Sequence, residues 1–406
     1  MSFALGVVLF AVGIGISIAL HEAGHMWTAK AFGMKVRRYF IGFGPKIFSF
    51  RRGETEYGLK WIPAGGFCDI AGMTALDPVT PDEAPRAFFT KKTWQRVVVL
   101  SAGSIMHFLI GIVLIYLLAL GGAVSTPGRP LPARIGVTEC VAPSQDVKTG
   151  RALPCPANAP NPATQAGLLV GDRIISVGGK PTQTFDQVAA EVRQHIGPTQ
   201  FVIERDGQQR EVTVNVAAAQ RLPINVKMND PHNKLVTVGA IGVEPYTKLG
   251  PLEAIPATVS FTGFMFKATF QGLGMFPEKI PAVFRAIGGA PPDLDRPVSV
   301  VGASVVGGDA AKAGDWAFFV MLLAALNFFV GVFNLVPLLP LDGGHIAVNL
   351  YERVRDSVRR MLGREKMPPV DYTRLLPVTY AFILVIGAIS LLTITADIIN
   401  PIHLPN

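Results

Sequence analysis

Apolar positions collect in four long runs separated by more polar sequence. Residues 2–20 contain no charge and their helical pattern runs on to Ala29; residues 97–124 carry no formal charge and one histidine, His107; residues 316–340 and 375–396 are uncharged. A hydrocarbon core is spanned by about 20 apolar residues in helical form, so each run predicts one crossing. The intervening patterns differ. Ile41-Gly-Phe-Gly-Pro45, Lys46–Arg51, a turn around Arg52-Gly53-Glu54 and Glu56–Ile62 place aromatic and β-branched residues on either side of a glycine turn, which predicts a β-hairpin. Further on, Phe185–His195 is amphipathic, and Thr199–Arg205 and Glu211–Val216 read as strands joined by Asp206-Gly207, a hairpin turn signal. Gly239–Val243 reads as a short strand, and Leu252–Ile287, rich in Phe and Met, as amphipathic helices near a membrane surface.

Composition narrows the class. Of 406 residues, 50% are hydrophobic and 16% charged, which excludes a disordered or fibrous chain and disfavours an ordinary soluble enzyme. No Lys or Arg precedes Lys30, so the first run lacks the basic flank of a signal peptide and is expected to be retained. Residues 29–96 hold 12 of the 37 Lys and Arg, residues 346–374 hold 7, and the long segment 122–315 holds 18. The two short basic loops are therefore expected in the cytoplasm, with the long segment and both termini outside. The net charge of +8 then reflects orientation and anionic lipid headgroups, not nucleic acid.

Three acids fall outside these three segments: Glu22, Asp342 and Asp397. An ionisable group within an apolar run is costly and marks a functional candidate. Glu22 lies in His21-Glu22-Ala23-Gly24-His25. Residues i and i+4 share a helix face, so both imidazoles can hold one Zn²⁺ while Glu22 turns toward water as a general base. The plainer alternative is a set of polar residues satisfied at a helix end near the headgroups. A catalytic zinc usually takes three protein ligands, and Asp342 is the best third candidate. It lies in Asn334-Leu-Val-Pro-Leu-Leu-Pro-Leu-Asp342-Gly343-Gly344-His345, where proline and glycine interrupt the helical pattern. Irregular backbone at membrane depth is tolerated where it lines a wet cavity. The first run, directed inward, carries His21 about 27 Å beyond Phe3, and the third, also inward, ends near Asp342. The parity of crossings brings both motifs to one depth. Asn327 and Asn334 can each simply hydrogen-bond a neighbouring helix, His107 reads as a packed or interfacial histidine, and His345 as a residue supporting the site or the fold.

HEAGH in the first run paired with NLVPLLPLDGGH late in the third resembles the site-2 protease family of intramembrane zinc metalloproteases, over most of the chain. The resemblance implies His21, His25 and Asp342 as zinc ligands, Glu22 as catalytic base, and Asn334 as a residue that assists substrate binding or stabilises the oxyanion. It also favours a membrane-associated β element near the active site, where an exposed strand edge can hold unwound substrate. Ala166-Gly167-Leu168-Leu-Val-Gly171-Asp172 and the strands after it look like a PDZ domain over 134–218. One such domain fits the bacterial regulator-of-sigma-factor type of the single-PDZ, actinobacterial-like branch. The expected fold is a polytopic α-helical membrane protein. Its parts are a first crossing at 1–29, a cytoplasmic loop with the hairpin at 30–96, a second crossing at 97–124, the extracytoplasmic PDZ domain, and a juxtamembrane region at 219–315. The third crossing at 316–345, a cytoplasmic loop at 346–374 and the fourth crossing at 375–396 complete it.

The implied activity is cleavage of the transmembrane segments of single-pass proteins such as anti-sigma factors, already cut by a site-1 protease, within the cell membrane. The PDZ domain would take a peptide terminus or exclude uncut ectodomains. Two other classes stand against this. A membrane metal-ion transporter would show an internal repeat and further intramembrane ligands, but the chain has seven histidines, with His195, His232 and His403 outside the crossings. A non-catalytic PDZ-bearing scaffold would have no use for His21, Glu22, His25 and Asp342 together. Cys140 and Cys155 both fall in the outer segment, where oxidation is permitted, and are candidates for a disulfide; Cys68 falls on the reducing side.

Overall fold

A computed structural model describes the chain apart from residues 1, 75–76, 125–129, 148–149, 151, 157, 225–232, 291–292, 294–295 and 405–406. His232 and the parts of the expected 134–218 and 219–315 segments that carry those numbers lie outside the described residues. In chain order the elements are α1 (Phe3–Ala31), β1 (Val36–Arg52), β2 (Thr55–Ile70), α2 (Thr93–Gly121), β3 (Ile135–Thr138), α3 (Pro162–Gln165), β4 (Arg173–Val177), β5 (Lys180–Pro181) and α4 (Phe185–Val192). There follow β6 (Gly197–Arg205), β7 (Gln208–Arg221), β8 (Val236–Ala240), β9 (Val243–Pro245), α5 (Pro251–Ile287), α6 (Val300–Ala313), α7 (Trp316–Asn334), α8 (Asp342–Met361) and α9 (Leu376–Ile399). They form two compact units: Met1–Leu118 with Thr258–Asn406, and Ala119–Ala257.

Among the described residues of the first unit, four helices are long and apolar enough to cross a membrane: Phe3–Ala31, Thr93–Gly121, Trp316–Asn334 and Tyr372–Ile399. Val8, Val12, Leu109, Val113, Leu384 and Leu391 on them face outward, an arrangement that lipid tolerates and water does not. Helices in lipid associate through close packing of small residues, and that is how these meet. A Cβ on Gly24 of α1 would sit 2.7 Å from the Ala102 carbonyl oxygen of α2, and one on Gly6 would sit 2.6 Å from Ala311 Cβ of α6.

The third apolar run does not continue as one helix to residue 345. α7 stops at Asn334 and α8 begins afresh at Asp342. Pro337 and Pro340 lack the N–H that helix continuation needs, and Gly343 and Gly344 lie so close to the backbone of residues 335–339 that a Cβ at either would collide with it. The apolar stretch read as several amphipathic helices is one helix, α5, despite Pro256, Pro277 and Pro281 within it. At the far end of α9, Asp397 and Arg296 form a wholly buried ion pair, Nη1 to Oδ1 2.6 Å. The Ser299 N–H donates to Asp397 Oδ2, Arg296 Nη2 to the Asn400 carbonyl, and Asn400 Nδ2 to the carbonyls of Ala286 and Ala290. Asp397, Arg296 and Asn400 thus tie the ends of α5, α6 and α9 together.

β1 and β2 pair antiparallel from Arg52↔Thr55 back to Val36↔Ile70. Tyr39 Oη donates to the Ala19 carbonyl at 2.6 Å and Lys30 Nζ to Tyr57 Oη at 2.7 Å, so the hairpin is rooted on the HEAGH helix. Its far half carries exposed Phe43, Phe48, Phe50, Trp61 and Ile62.

The second unit is a sheet of order β5-β4-β6-β7-β8 with a separate β3–β9 pair. Ile135, Leu168, Ile174, Val188, Phe201, Ile203 and Val214 form its core. Asp206 (φ 53°) and Gly207 (φ 75°) make the β6–β7 turn, the two positive angles a tight hairpin requires. α4 starts on a capping box of Thr184 and Gln187. Gly242, at φ 70°, divides the single strand expected at 239–243 into β8 and β9. Cys140 and Cys155 are joined in a disulfide.

Asp172 accounts for the Gly171-Asp172 signature structurally. It is 1% exposed, accepts from Arg205 Nε and Nη2 at 2.7 Å each, and takes the Leu169 N–H at 2.8 Å. Burial alone would raise this carboxyl, but the Arg205 guanidinium and the backbone donor hold it below the usual range. Its contribution to stability is therefore present above about pH 4 and is lost as pH falls below it. Asp172→Asn should weaken local stability by about 2 kcal/mol and raise amide exchange across 167–205 in the full chain. Exchange rates matching wild type at neutral pH would refute this role.

Candidate metal centre

The site is assembled from three helices. On α1, His21 and His25 stand one turn apart with ring planes at 81° and centroids 4.8 Å apart. His25 Nδ1 lies 2.7 Å from the Val99 carbonyl of α2. A carbonyl only accepts, so Nδ1 carries the proton and the Nε2 lone pair faces the site. That Nε2 is 3.2 Å from His21 Nε2. Asp342, the first residue of α8, brings Oδ2 to 3.4 Å from His21 Nε2 and 3.3 Å from His25 Nε2. Both histidines are buried, at 8% and 7% exposure.

This donor set fits a metal ion. Four ligands at the about 2.0–2.1 Å typical of zinc lie about 3.3–3.4 Å from one another in a tetrahedron, and the three distances here match three edges of such a figure. Asp342 Oδ2 is buried and makes no hydrogen bond, an expensive state for a carboxylate oxygen unless a cation receives it. Two imidazoles and a carboxylate are also the ligand types of catalytic zinc sites, which leave the fourth position open. His21, His25 and Asp342 are the cluster capable of holding an ion among the described residues.

α2 is shaped around the site. Gly103 lies against both rings, and a Cβ there would fall on His21 Cε1 and His25 Nε2. One turn further on, His107 packs on His21 with centroids 5.0 Å apart. Its Nδ1 is 2.9 Å from Asn327 Oδ1 on α7, and Asn327 Nδ2 donates to the Leu323 carbonyl at 2.8 Å. With the amide oriented by that second bond, Asn327 Oδ1 accepts from His107 Nδ1–H. Sequence reasoning left His107 as packing. The available signal was its i+4 spacing from Gly103 on a run without charged residues.

Glu22 is half-buried and rests on β2, where a Cβ on Gly66 would meet its Cγ at 2.9 Å. The hairpin backbone thus borders the expected base. Asn334 ends α7, half-buried, and its side chain makes no hydrogen bond among the described residues, so nothing joins it directly to the three converging ligands. His345 pairs instead with Tyr372, Nδ1 to Oη 3.4 Å, with the rings stacked. Cys68 is a free thiol of intermediate exposure.

Comparison with known proteins agrees with this chemistry. The model of peptidase family M50 matches residues 9–367. The zinc metalloprotease Rip1 of Mycolicibacterium smegmatis is 46% identical over 413 residues, covering the whole of both chains. The proteins of the same name from Mycobacterium bovis and Mycobacterium tuberculosis are 47% and 46% identical over 409 residues, again at full coverage. Gly103→Ala, which introduces one methyl group against both rings, should lower zinc affinity at least about tenfold, a loss of the size seen when ligand orientation is disturbed, while helix content is kept. Retention of stoichiometric zinc through competition with a chelator would contradict this packing.

Proposed function

The chain belongs to peptidase family M50 and is a membrane zinc metalloprotease of the site-2 type, and from that premise we propose that it cleaves the transmembrane segments of single-pass proteins such as anti-sigma factors, after a first cut by another protease. The observation that carries the reading is the meeting of His21, His25 and Asp342 beside Glu22 within a set of apolar helices. His21, His25 and Asp342 hold the ion. Zn²⁺ bound by them supplies the Lewis acidity that amide hydrolysis needs at neutral pH.

The remaining steps belong to the side chains. Glu22 takes a proton from the attacking water and returns it to the leaving amine. His25 is held to one tautomer by the Val99 carbonyl, so its lone pair stays directed at the site as charge develops. Asn334 is assigned to the substrate carbonyl or backbone. Its support is position, eight residues before Asp342 at the end of α7. A helical peptide bond is shielded by its own hydrogen bonds, so the substrate has to be drawn out. The hairpin borders Glu22 at Gly66, and an extended segment added to a strand edge there would bring its backbone to the base.

Orientation and the second unit complete the proposal. Lys and Arg density supports a cytoplasmic side for residues 30–96 and 346–374, with both termini and the sheet unit outside. Residues 134–218 are read as a PDZ domain on the strength of the sheet, the capped α4 and the Asp172–Arg205 pair. Such a fold takes a peptide by strand addition, which suits the exposed terminus left by an earlier cut. Glu22→Gln should keep its zinc yet cut a single-pass substrate at least about a hundredfold more slowly. Equal cleavage by the variant and wild type, or no zinc in either, would sink the assignment.

A further inference from the structure

α8 is amphipathic in an unusual sense: its polar side faces the protein and its apolar side faces out. His345 bonds Tyr372, Asn349 is 3% exposed, and Glu352 accepts the Val370 N–H at 2.8 Å and lies 3.6 Å from Arg96 at the start of α2. Leu350, Tyr351, Val354, Val358 and Met361, at spacings of three and four along the opposite side, are exposed, Val354 at 62% and Met361 at 86%. In water this arrangement would be penalised on the exposed side, where apolar surface is left uncovered.

Position and charge identify what covers the stripe. α8 is joined to one membrane-spanning helix by residues 335–341 and to the next by residues 362–371, so it cannot leave the neighbourhood of the bilayer. Arg353 and Arg360 on α8, and Arg364 and Lys366 just beyond it, are exposed and form no ion pair among the described residues; Glu365 is the exposed acid in that stretch. Arg355 and Arg359 instead reach back to the carbonyls of Met367, Pro368 and Glu365. An apolar stripe bordered by free cations matches the boundary between acyl chains and anionic headgroups.

We propose that α8 docks in the interface of an anionic membrane, its stripe among the acyl chains and Arg353 and Arg360 on lipid phosphates, and that this docking sets the position of Asp342. The mechanical link is short. Asp342 is the first residue of α8, and Gly343 and Gly344 are clamped against residues 335–339, so a tilt or lift of the helix moves the carboxylate relative to His21 and His25. Part of this rests on the metal role of Asp342; the docking does not.

The test uses the full chain in nanodiscs of phosphatidylcholine alone or mixed with phosphatidylglycerol. A fluorophore on Met361→Cys, with Cys68→Ala to leave one reactive thiol, reports depth through quenching by brominated acyl chains. Quenching should strengthen with anionic lipid, and each of Arg353→Gln and Arg360→Gln should lower the docked-to-undocked ratio about fivefold, while the lysine replacements restore it. Zinc affinity by chelator competition should be higher in anionic discs and lose that advantage in the double glutamine variant. A fluorophore quenched by aqueous iodide and untouched by brominated chains in anionic discs would overturn the docking. Zinc affinity indifferent to both lipid charge and arginine removal would overturn the coupling. Neither readout needs substrate cleavage, so a failure here is separable from a failure of the proteolytic assignment.

Discussion

Lone pairs from two distant stretches of one chain have to meet inside a bundle whose outer surface is apolar, and most of the local architecture answers that requirement. His21 and His25 come from one helix and need only its periodicity. Asp342 comes from the other end of the sequence, and to bring it within 3.4 Å of them the third apolar run must stop, turn and restart. Pro337 and Pro340 make the stop, and Gly343 and Gly344 let the restarting helix lie on the turn that precedes it. On the opposite side α2 must approach without intruding, which is why glycine stands at 103 and at 24. A Val99 carbonyl then fixes one imidazole. Gly103 keeps clear the space beside the two rings, while Gly24, Gly343 and Gly344 allow the close backbone approaches that frame it.

The same constraint separates two aspartates that look alike in the sequence. Asp397 and Asp342 both lie at the margin of apolar runs. Asp397 has both oxygens engaged, by Arg296 and the Ser299 N–H, and is a structural tie between helix ends. Asp342 keeps Oδ2 buried with no hydrogen bond. In a low-dielectric setting a satisfied acid holds the fold together, whereas an unsatisfied one is waiting for a partner. The pairing of His107 with Asn327 belongs to the first kind but lies beside the second.

The readability of the chain follows the range of the interactions. Features set by neighbours in sequence were legible: the apolar runs, the i, i+4 histidines, the glycine turn of the hairpin, and Asp206-Gly207 between β6 and β7. Asp342 was singled out as the third candidate by the proline- and glycine-broken pattern around it, with crossing parity as a check, and its carboxylate lies within 3.4 Å of both imidazoles. Less legible was whatever depended on packing between distant segments. α5 survives three prolines that a local rule counts as breaks. The break between α7 and α8 was announced by Pro337, Pro340, Gly343 and Gly344, but the restart as a helix running on to Met361 was not, since residues 346–374 read as a loop. His107 could not be placed beside His21 from α2 alone, because only the α1–α2 approach brings them together.

The distance along the chain between the two halves of the metal centre has a consequence for biosynthesis. His21 and His25 are made early, and Asp342 more than 300 residues later. Until the ribosome has passed Asp342, the first helix holds two imidazoles but lacks the carboxylate that completes the cluster. The growing chain therefore carries an incomplete donor set until synthesis has passed residue 342, and the cluster is a property of the nearly finished chain.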